Sequence, residues 1–67
     1  MEKGVVKSFD KNSGMGFISR TADKDVKFYA NSVIGRSLSS LQQGDAVWFE
    51  VDCIQTLHIA INIRKCS

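Results

Sequence analysis

The stretch that decides the fold is residues 4–18, GVVKSFDKNSGMGFI, in which two runs of strand-forming residues flank a polar turn. The first run ends at Phe9 and the second begins at Met15. Residues 10–14 between them are Asp, Lys, Asn, Ser and Gly, a composition that favours tight turns. Apolar runs bounded by such a cluster predict a β-hairpin at the start of the chain.

A third strand is predicted over residues 25–29, after a turn at residues 21–24. Side chains alternate between the two faces of a strand. Val26 and Phe28 therefore share one face of this strand. Lys27 and Tyr29 share the other, so this strand presents one apolar face and one mixed face.

A fourth strand is predicted over residues 45–52 and a fifth at the end of the chain. Alternation places three apolar residues of the fourth strand on one face: Val47, Phe49 and Val51. The fifth strand alternates most regularly, with one face formed by Leu57, Ile59, Ile61 and Ile63. The opposite face would then carry His58, Ala60, Asn62 and Arg64.

Between the third and fourth strands the pattern predicts a single helical turn closed by Gly35, followed by a polar connection over residues 36–43. Leu38 and Leu41 are expected to anchor that connection to the core. Five short strands without a long helix predict an all-β fold, a small five-stranded antiparallel barrel that is partly open. Residues 1–67 are expected to form a single domain.

The composition limits what such a domain can do. The chain has 67 residues, 43% of them apolar, and a formal net charge of +2. A domain this small buries roughly 60% of its unfolded surface, which leaves a thin core and no enclosed catalytic cavity. The sequence has no apolar run of the ~20 residues that span a membrane and no signal-peptide core, so we predict a soluble, cytoplasmic protein.

Motifs for enzyme chemistry and for metal binding are missing from the sequence. His58 has no acid or nucleophile at a recognisable spacing, and no phosphate-binding loop or paired-carboxylate arrangement occurs. Cys53, His58 and Cys66 are the only soft ligands, and no C-x-x-C pair is present. We therefore predict a protein that is not an enzyme, with no metal, no cofactor and reduced cysteines.

The order of short motifs resembles that of the bacterial cold-shock proteins. Residues 4–9 (GVVKSF) and 14–18 (GMGFI) are similar to the family's opening hairpin. Residues 25–29 (DVKFY) stand where its second ribonucleoprotein motif falls, and residues 37–50 and 60–63 are similar to its later motifs. The resemblance covers nearly the whole chain and implies a divergent cold-shock-like domain with an OB-like barrel.

The resemblance also implies binding of single-stranded RNA or DNA on one face of the sheet. Bases would stack on aromatic side chains, at about 1–3 kcal/mol per base and with little sequence preference. Basic side chains would neutralise phosphates, which makes such binding sensitive to salt. In this sequence the implied binding residues are Lys7, Met15, Phe17, Lys27 and Tyr29.

The family's aromatic positions are only partly kept. Phe17 retains a Phe, and Tyr29 replaces a His with another aromatic ring. The other positions have lost their aromatic ring: Ser8 stands in place of Trp, and Met15, Lys27 and Ala30 in place of Phe. Each lost ring removes a base-stacking platform, so we expect weak, salt-dependent binding of low sequence specificity.

The resemblance does not explain one aromatic residue. If Val47 and Phe49 enter the core, alternation turns Trp48, the single tryptophan, outward. Exposed Trp is typical of interface hot spots. The alternative hypothesis is therefore a protein-interaction or self-associating module on the same barrel, with nucleic-acid binding largely lost. Its self-associating form would be a homodimer formed through Trp48, Ile54 and Leu57.

Overall fold

The computed structural model describes residues 1–21, 24–35, 37–54 and 57–66, with the backbone alone at residues 37 and 54. The described part of the chain forms five strands: β1 (Glu2–Asp10), β2 (Met15–Arg20), β3 (Val26–Tyr29), β4 (Ala46–Ile54) and β5 (Leu57–Lys65). A 3-10 turn follows β3 directly, and one turn of α-helix, α1 (Ser37–Ser40), precedes β4. The strand content confirms the predicted all-β class.

The strands close into a barrel in the order β1-β2-β3-β5-β4. Strand directions can alternate around a closed ring only when the number of strands is even. A five-stranded barrel therefore needs at least one parallel pair, and here it is the pair of β3 and β5. The five-stranded barrel was predicted correctly, but the structure corrects two details, because the barrel is closed and one pairing is parallel.

The core lies inside the barrel and consists of one cluster: Val6, Ile18, Val26, Phe28, Val33, Leu41, Val47, Phe49, Ala60 and Ile63. The inward faces predicted for β3 and β4 are confirmed, with Val51 packed against this cluster. Phe9 packs against Phe28 at a ring-centroid distance of 5.3 Å. A Cβ on Gly16 would lie 2.5 Å from the Ser8 carbonyl oxygen and 2.6 Å from the Phe28 ring, so only glycine lets the strands and this ring approach so closely.

A β-bulge in β1 changes which side chains face outward. Val6 pairs with Ile18, whereas Ser8 pairs with Phe17, so β1 has one more residue than β2 between these pairs. Lys7 and Ser8 are consecutive and both exposed, while the residues on either side of them turn toward the core. The extra residue therefore adds a lysine to the outer surface of the barrel.

A second bulge lies in β5 and makes the predicted alternation of that strand wrong. Trp48 pairs with Arg64 and Glu50 with Ile61, so β5 has an extra residue opposite Phe49. Asn62 adopts a left-handed backbone at this point, with φ of 53°. The inward residues of β5 are consequently Ala60 and Ile63, Leu57 is exposed, and Ile59 and Ile61 are half-buried.

The connection from β3 to β4 follows the prediction only in part. The helical turn covers Ala30–Ser32, and Gly35 has a φ of +62° in the turn that follows. Leu41 is fully buried and Leu38 packs against the core, so both predicted anchors are confirmed. The segment predicted as a polar connection contains one short helix, α1, which was not predicted from the sequence. No helix in the described ranges has the length and hydrophobicity to cross a membrane.

Candidate nucleic-acid interface

Two cross-strand pairs on the outer surface of β2 and β3 form a compact patch. Met15 lies opposite Tyr29, and Phe17 lies opposite Lys27. The side chains of Met15, Phe17 and Tyr29 are 36%, 42% and 37% exposed, so their faces are open to a ligand. We call these four residues, together with Lys7 on the adjacent β1, the stacking face. The structure thus brings together all five residues predicted to bind.

Lys27 contacts the neighbouring aromatic ring within this patch. Its Nζ lies 5.3 Å from the centroid of the Tyr29 ring. A cation–π contact at an exposed site contributes about 0.5–1 kcal/mol, which is weak enough to be exchanged for another partner. A phosphate that attracts the Lys27 ammonium would leave the Tyr29 ring free to stack on a base.

Lys7 stands beside the patch and is joined to a carboxylate. Its Nζ lies 2.7 Å from Oδ2 of Asp25, and the two side chains are 63% and 34% exposed. Exposed ion pairs contribute about 0–1 kcal/mol. A phosphate can therefore compete for this lysine, although the nearby Asp25 lowers its attraction for an anion.

An open depression of about 390 Å³ adjoins the patch on the side of β1. It is lined by Ser8, Phe9, Asp10, Ser13, Met15, Gly16, Phe17 and Gln43. Ser8 is directly opposite Phe17 across the β1–β2 pair, and its small side chain leaves the space beside that ring open. The depression combines an aromatic wall with hydroxyl and amide groups, which suits a planar, hydrogen-bonding ligand such as a nucleobase.

Gln43 lines the depression although no sequence motif marks it as a site residue. It lies in the segment before β4, far along the chain from the hairpin, and its side chain is exposed. No local pattern marks an isolated glutamine as part of a site. The backbone bond from Gly44 N to the carbonyl oxygen of Val6, 2.8 Å long, holds this segment against β1 and so brings Gln43 to the depression.

One acid lies at the edge of the stacking face. Asp10 pairs across the strands with Met15. Its Oδ1 accepts hydrogen bonds from the backbone N–H of Asn12, at 2.9 Å, and of Ser13, at 3.5 Å. These donors offset part of the negative charge, and the carboxylate serves mainly to fix the hairpin turn.

Of the three residues predicted to support self-association, Ile54 and Leu57 are cross-strand neighbours, but Trp48 lies apart from them. Trp48 is outward and 41% exposed, as alternation predicted, and Leu57 is 64% exposed. Trp48 pairs with Arg64 at one end of the β4–β5 hairpin, whereas Ile54 pairs with Leu57 at the other end. Six residues of strand separate the two ends, roughly 20 Å. The side chain of Ile54 lies outside the described part of the structure.

Ligands for a metal do not converge in the described ranges. No group of three or more His, Cys, Asp or Glu side chains there could hold an ion. Cys53 and Cys66 form no disulfide in the described ranges, and Cys53 lies opposite His58 in the β4–β5 hairpin.

A small β-barrel with exposed rings and lysines on one sheet face belongs to the class of nucleic-acid-binding barrels. Comparison with protein families gives a more specific assignment. The model of the 'Cold-shock' DNA-binding domain matches residues 2–66. The chain belongs to the cold-shock domain family, which supports nucleic-acid binding as its general activity.

Individual proteins agree with this assignment. The chain is 34% identical to the major cold shock protein of Streptococcus pyogenes over 67 residues, all of both chains. It is 36% identical to the cold shock protein CspC of Bacillus subtilis over 65 residues, 97% of this chain and 98% of that protein. A solved structure titled drosophila Unr CSD456 superimposes with a TM-score of 0.77 at 26% identity, covering 98% of this chain and 26% of the longer one. The resemblance seen in the motifs is confirmed, and with it the OB-like fold.

Proposed function

We propose that this domain binds single-stranded RNA or DNA weakly and with low sequence specificity on the stacking face. The observation that carries the proposal is the position of two neighbouring cross-strand pairs on the exposed surface of β2 and β3. Met15 lies opposite Tyr29, and Phe17 lies opposite Lys27. Two exposed rings can each stack on a base, and the lysines beside them can each contact a phosphate. No bond is made or broken in this activity.

Stacking on Phe17 and Tyr29 supplies the attraction for bases. Each ring contributes about 1–3 kcal/mol per stacked base, and every base has a face that can stack. Met15 is the first residue of β2 and lies opposite Tyr29, where its polarisable thioether can cover a third base. Because none of these contacts distinguishes one base from another by hydrogen bonds, the expected sequence preference is small.

Phosphate contacts supply the remainder of the affinity. Lys27 and Lys7 stand on either side of the Phe17 ring, on β3 and β1. Each phosphate neutralised on a single strand contributes about 0.7 to the slope of the logarithm of affinity against the logarithm of salt concentration. With four of the family's aromatic positions lost, binding is expected to depend on these charges and to weaken steeply as salt rises.

Fluorescence anisotropy with labelled oligo-dT and oligo-U tests the proposal at low and moderate salt. We expect Phe17→Ala to weaken binding of both oligonucleotides by about 1–3 kcal/mol. Lys27→Ala should weaken binding of both and lower the magnitude of the salt slope by about 0.7, the contribution of one phosphate on a single strand. Ile34→Ala is the matched control, because Ile34 is an exposed apolar residue outside the stacking face.

The outcomes separate clearly. Equal affinities for wild type, Phe17→Ala and Lys27→Ala would exclude the stacking face as the binding site. An Ile34→Ala protein as weak as Phe17→Ala would show that the loss reflects stability rather than contact. Absence of binding by wild type at low salt would contradict the activity itself for this chain.

A second candidate is the self-associating module, for which the exposed Leu57 at the tip of the β4–β5 hairpin is the favourable observation. An apolar side chain 64% open to water lowers the free energy of the chain when a second copy covers it. Light scattering at high micromolar concentration tests this candidate. We expect a dimer that Leu57→Ser dissociates, and a strict monomer would contradict it.

A further inference from the structure

A second group of aromatic and basic side chains lies on the other side of the barrel. Lys3 of β1 pairs with Trp48 of β4, and Trp48 pairs with Arg64 of β5. All three residues are exposed, and they form one row across three adjacent strands, which we call the Trp48 row. Lys3 Nζ lies 5.6 Å from the centroid of the Trp48 ring. The described ranges contain no carboxylate within ion-pair distance of Lys3 or Arg64.

An apolar depression continues the row along β1 and β2. It measures about 330 Å³ and is lined by Lys3, Gly4, Val5, Ser19, Arg20 and Thr21. Val5 is 44% exposed at its floor. Arg20 is bound to the Glu2 carboxylate through two hydrogen bonds of 2.8 Å and 2.7 Å, so its charge is already compensated. Lys3, the other basic residue that lines this depression, has no carboxylate bound to it in the described ranges.

The charge of the row selects an anionic occupant. Glu50 is the acid nearest to Trp48 on the same face of β4, with Asp52 two positions further along the strand, and Glu50 Oε2 accepts a hydrogen bond from Asn62 Nδ2 at 3.0 Å. Two cations therefore outnumber one acid around Trp48. In a two-fold dimer through this surface, the positively charged row of one copy would face the positively charged row of the other, and the like charges would repel. A second copy of the chain therefore fits this surface poorly.

We propose that the Trp48 row is a second contact site for single-stranded nucleic acid, with a base stacked on the Trp48 indole and phosphates on Lys3 and Arg64. An indole with a cation on either side offers the arrangement that binds single strands without sequence preference. The inference rests on the proposed function of the stacking face, because it extends the path of the same strand. Trp48 is not among the aromatic positions implied by the family resemblance.

The outer surface of β1 joins the two sites. Its outward side chains after Lys3 are Val5, Lys7 and Ser8, and Ser8 already lies at the depression beside Phe17. Ser8 is five positions after Lys3, so the distance between them along the strand is roughly 16 Å. A single-stranded nucleic acid that extends from the stacking face past Lys7 therefore reaches the Trp48 row along one continuous protein surface. Short oligonucleotides would occupy one site, and longer ones would occupy both.

Intrinsic fluorescence reports the second site directly, because Trp48 is the single tryptophan of the chain and the stacking face has none. The probes are unlabelled oligo-dT of about four and about sixteen nucleotides, the limits of site size for one OB fold. We expect the longer oligonucleotide to quench Trp48 emission at saturation. A poly-glutamate peptide is the control anion, and equal quenching by it would overturn the proposal in favour of an acidic protein partner.

Substitutions then test whether the contact adds affinity. With labelled oligonucleotides, Trp48→Ala should lower the ratio of long to short affinity by ~5- to ~150-fold, the value of one stacked base. Trp48→Phe should retain most of that ratio because it keeps an aromatic ring. Arg64→Gln should lower the ratio, whereas Lys65→Gln should not, because Lys65 is paired with Asp45 at 3.4 Å.

Each outcome decides between the two proposals. Binding of the long oligonucleotide that leaves both Trp48 emission and the Trp48→Ala affinity ratio unchanged would overturn the second site and leave the stacking face intact. Quenching that persists when Phe17→Ala has no effect on affinity would keep the Trp48 row and reject the stacking face. No binding of either oligonucleotide at low salt would reject both.

Discussion

Ser8 shows how the size of one side chain sets the shape of the surface beside Phe17. The residue lies opposite Phe17 and lines the depression of about 390 Å³, so the space that a large ring would fill is open. The bulge at Lys7 and Ser8 still points this position outward. The backbone that presents the missing ring is therefore retained, although the ring itself is gone.

Restoring that ring should restore affinity. We expect Ser8→Trp to strengthen binding of a short oligo-dT by about 1–3 kcal/mol, because the new indole adds one stacking platform beside Phe17. Anisotropy titration measures the gain. Ile34→Trp is the matched control, since it adds an indole at an exposed residue outside the stacking face. Equal gains in both variants would show that any added indole suffices and that the depression has no special role.

Asp25 lowers the availability of the lysine on the same face. Its carboxylate lies 2.7 Å from Lys7 Nζ, and a bound phosphate must displace it. We expect Asp25→Asn to tighten binding at low salt by about 0.2–1 kcal/mol, the usual strength of an exposed ion pair. The gain should shrink at high salt, where screening weakens every contact of this kind.

A double-mutant cycle provides the control for this prediction. In a Lys7→Gln background the Asp25→Asn substitution should have no effect, because the released ammonium is absent. An equal gain in both backgrounds would mean that Asp25 acts through its general negative charge and not through Lys7. Anisotropy at two salt concentrations measures all four proteins.

At the scale of the element, β5 depends on one residue with an unusual backbone. Asn62 has a φ of 53°, and its Nδ2 donates a 3.0 Å hydrogen bond to Glu50. An L-residue other than Gly, Asn or Asp costs about 1–2 kcal/mol in this conformation. The bulge that Asn62 allows turns both Ala60 and Ile63 into the core, so the strain would act on the packing of the whole strand.

We therefore expect Asn62→Ala to lower the free energy of unfolding by about 1 kcal/mol or more, and Asn62→Gly to be the milder of the two substitutions. Both variants lose the hydrogen bond to Glu50, so the difference between their free energies of unfolding reports the cost of the left-handed backbone conformation alone. Urea denaturation monitored through Trp48 measures it, with Asn31→Ala as a control at a residue outside the left-handed region. An Ala variant as stable as the Gly variant would contradict the role assigned to this backbone.

The two bulges also explain what could and could not be predicted from the sequence. Period-two patterns gave the strands and the inward faces of β3 and β4 correctly, because alternation depends only on local chain geometry. In β5 the regular run of Leu57, Ile59 and Ile61 suggested an apolar face, yet the inserted residue at Asn62 reverses the phase. The inserted residue lies opposite Phe49 of β4. The hydrophobic pattern of β5 alone contains no information about its pairing with β4.

The stacking face was predictable for a related reason. Phe17, Lys27 and Tyr29 lie on outward positions of strands whose alternation is undisturbed, so their common face followed from the hairpin and the family resemblance. The Trp48 row required the pairings of β1 with β4 and β4 with β5, which join residues far apart in the chain. Gln43 likewise reaches its site only through the folded connection before β4.

For the molecule as a whole, the placement of charge matters more than its sum. The formal net charge is only +2. Three of the basic side chains are joined to carboxylates in the described part, namely Lys7, Arg20 and Lys65. The cations with no carboxylate partner there include Lys27 on the stacking face and Lys3 and Arg64 around Trp48. A low net charge is thus compatible with two surfaces that attract phosphates.

This placement predicts how salt dependence varies with the length of the ligand. Each phosphate neutralised on a single strand contributes about 0.7 to the slope of log affinity against log salt. A short oligo-dT on the stacking face meets Lys7 and Lys27, which gives a slope of about 1.4 in magnitude. A long oligo-dT that also meets Lys3 and Arg64 should give a slope of about 2.8 in magnitude.

Anisotropy titrations across a salt series measure both slopes, with Lys65→Gln as the control variant that should change neither slope. Equal slopes for the two lengths would mean that phosphates meet one surface only, and a slope near zero would mean that the lysines of the stacking face do not contact the backbone of the ligand at all.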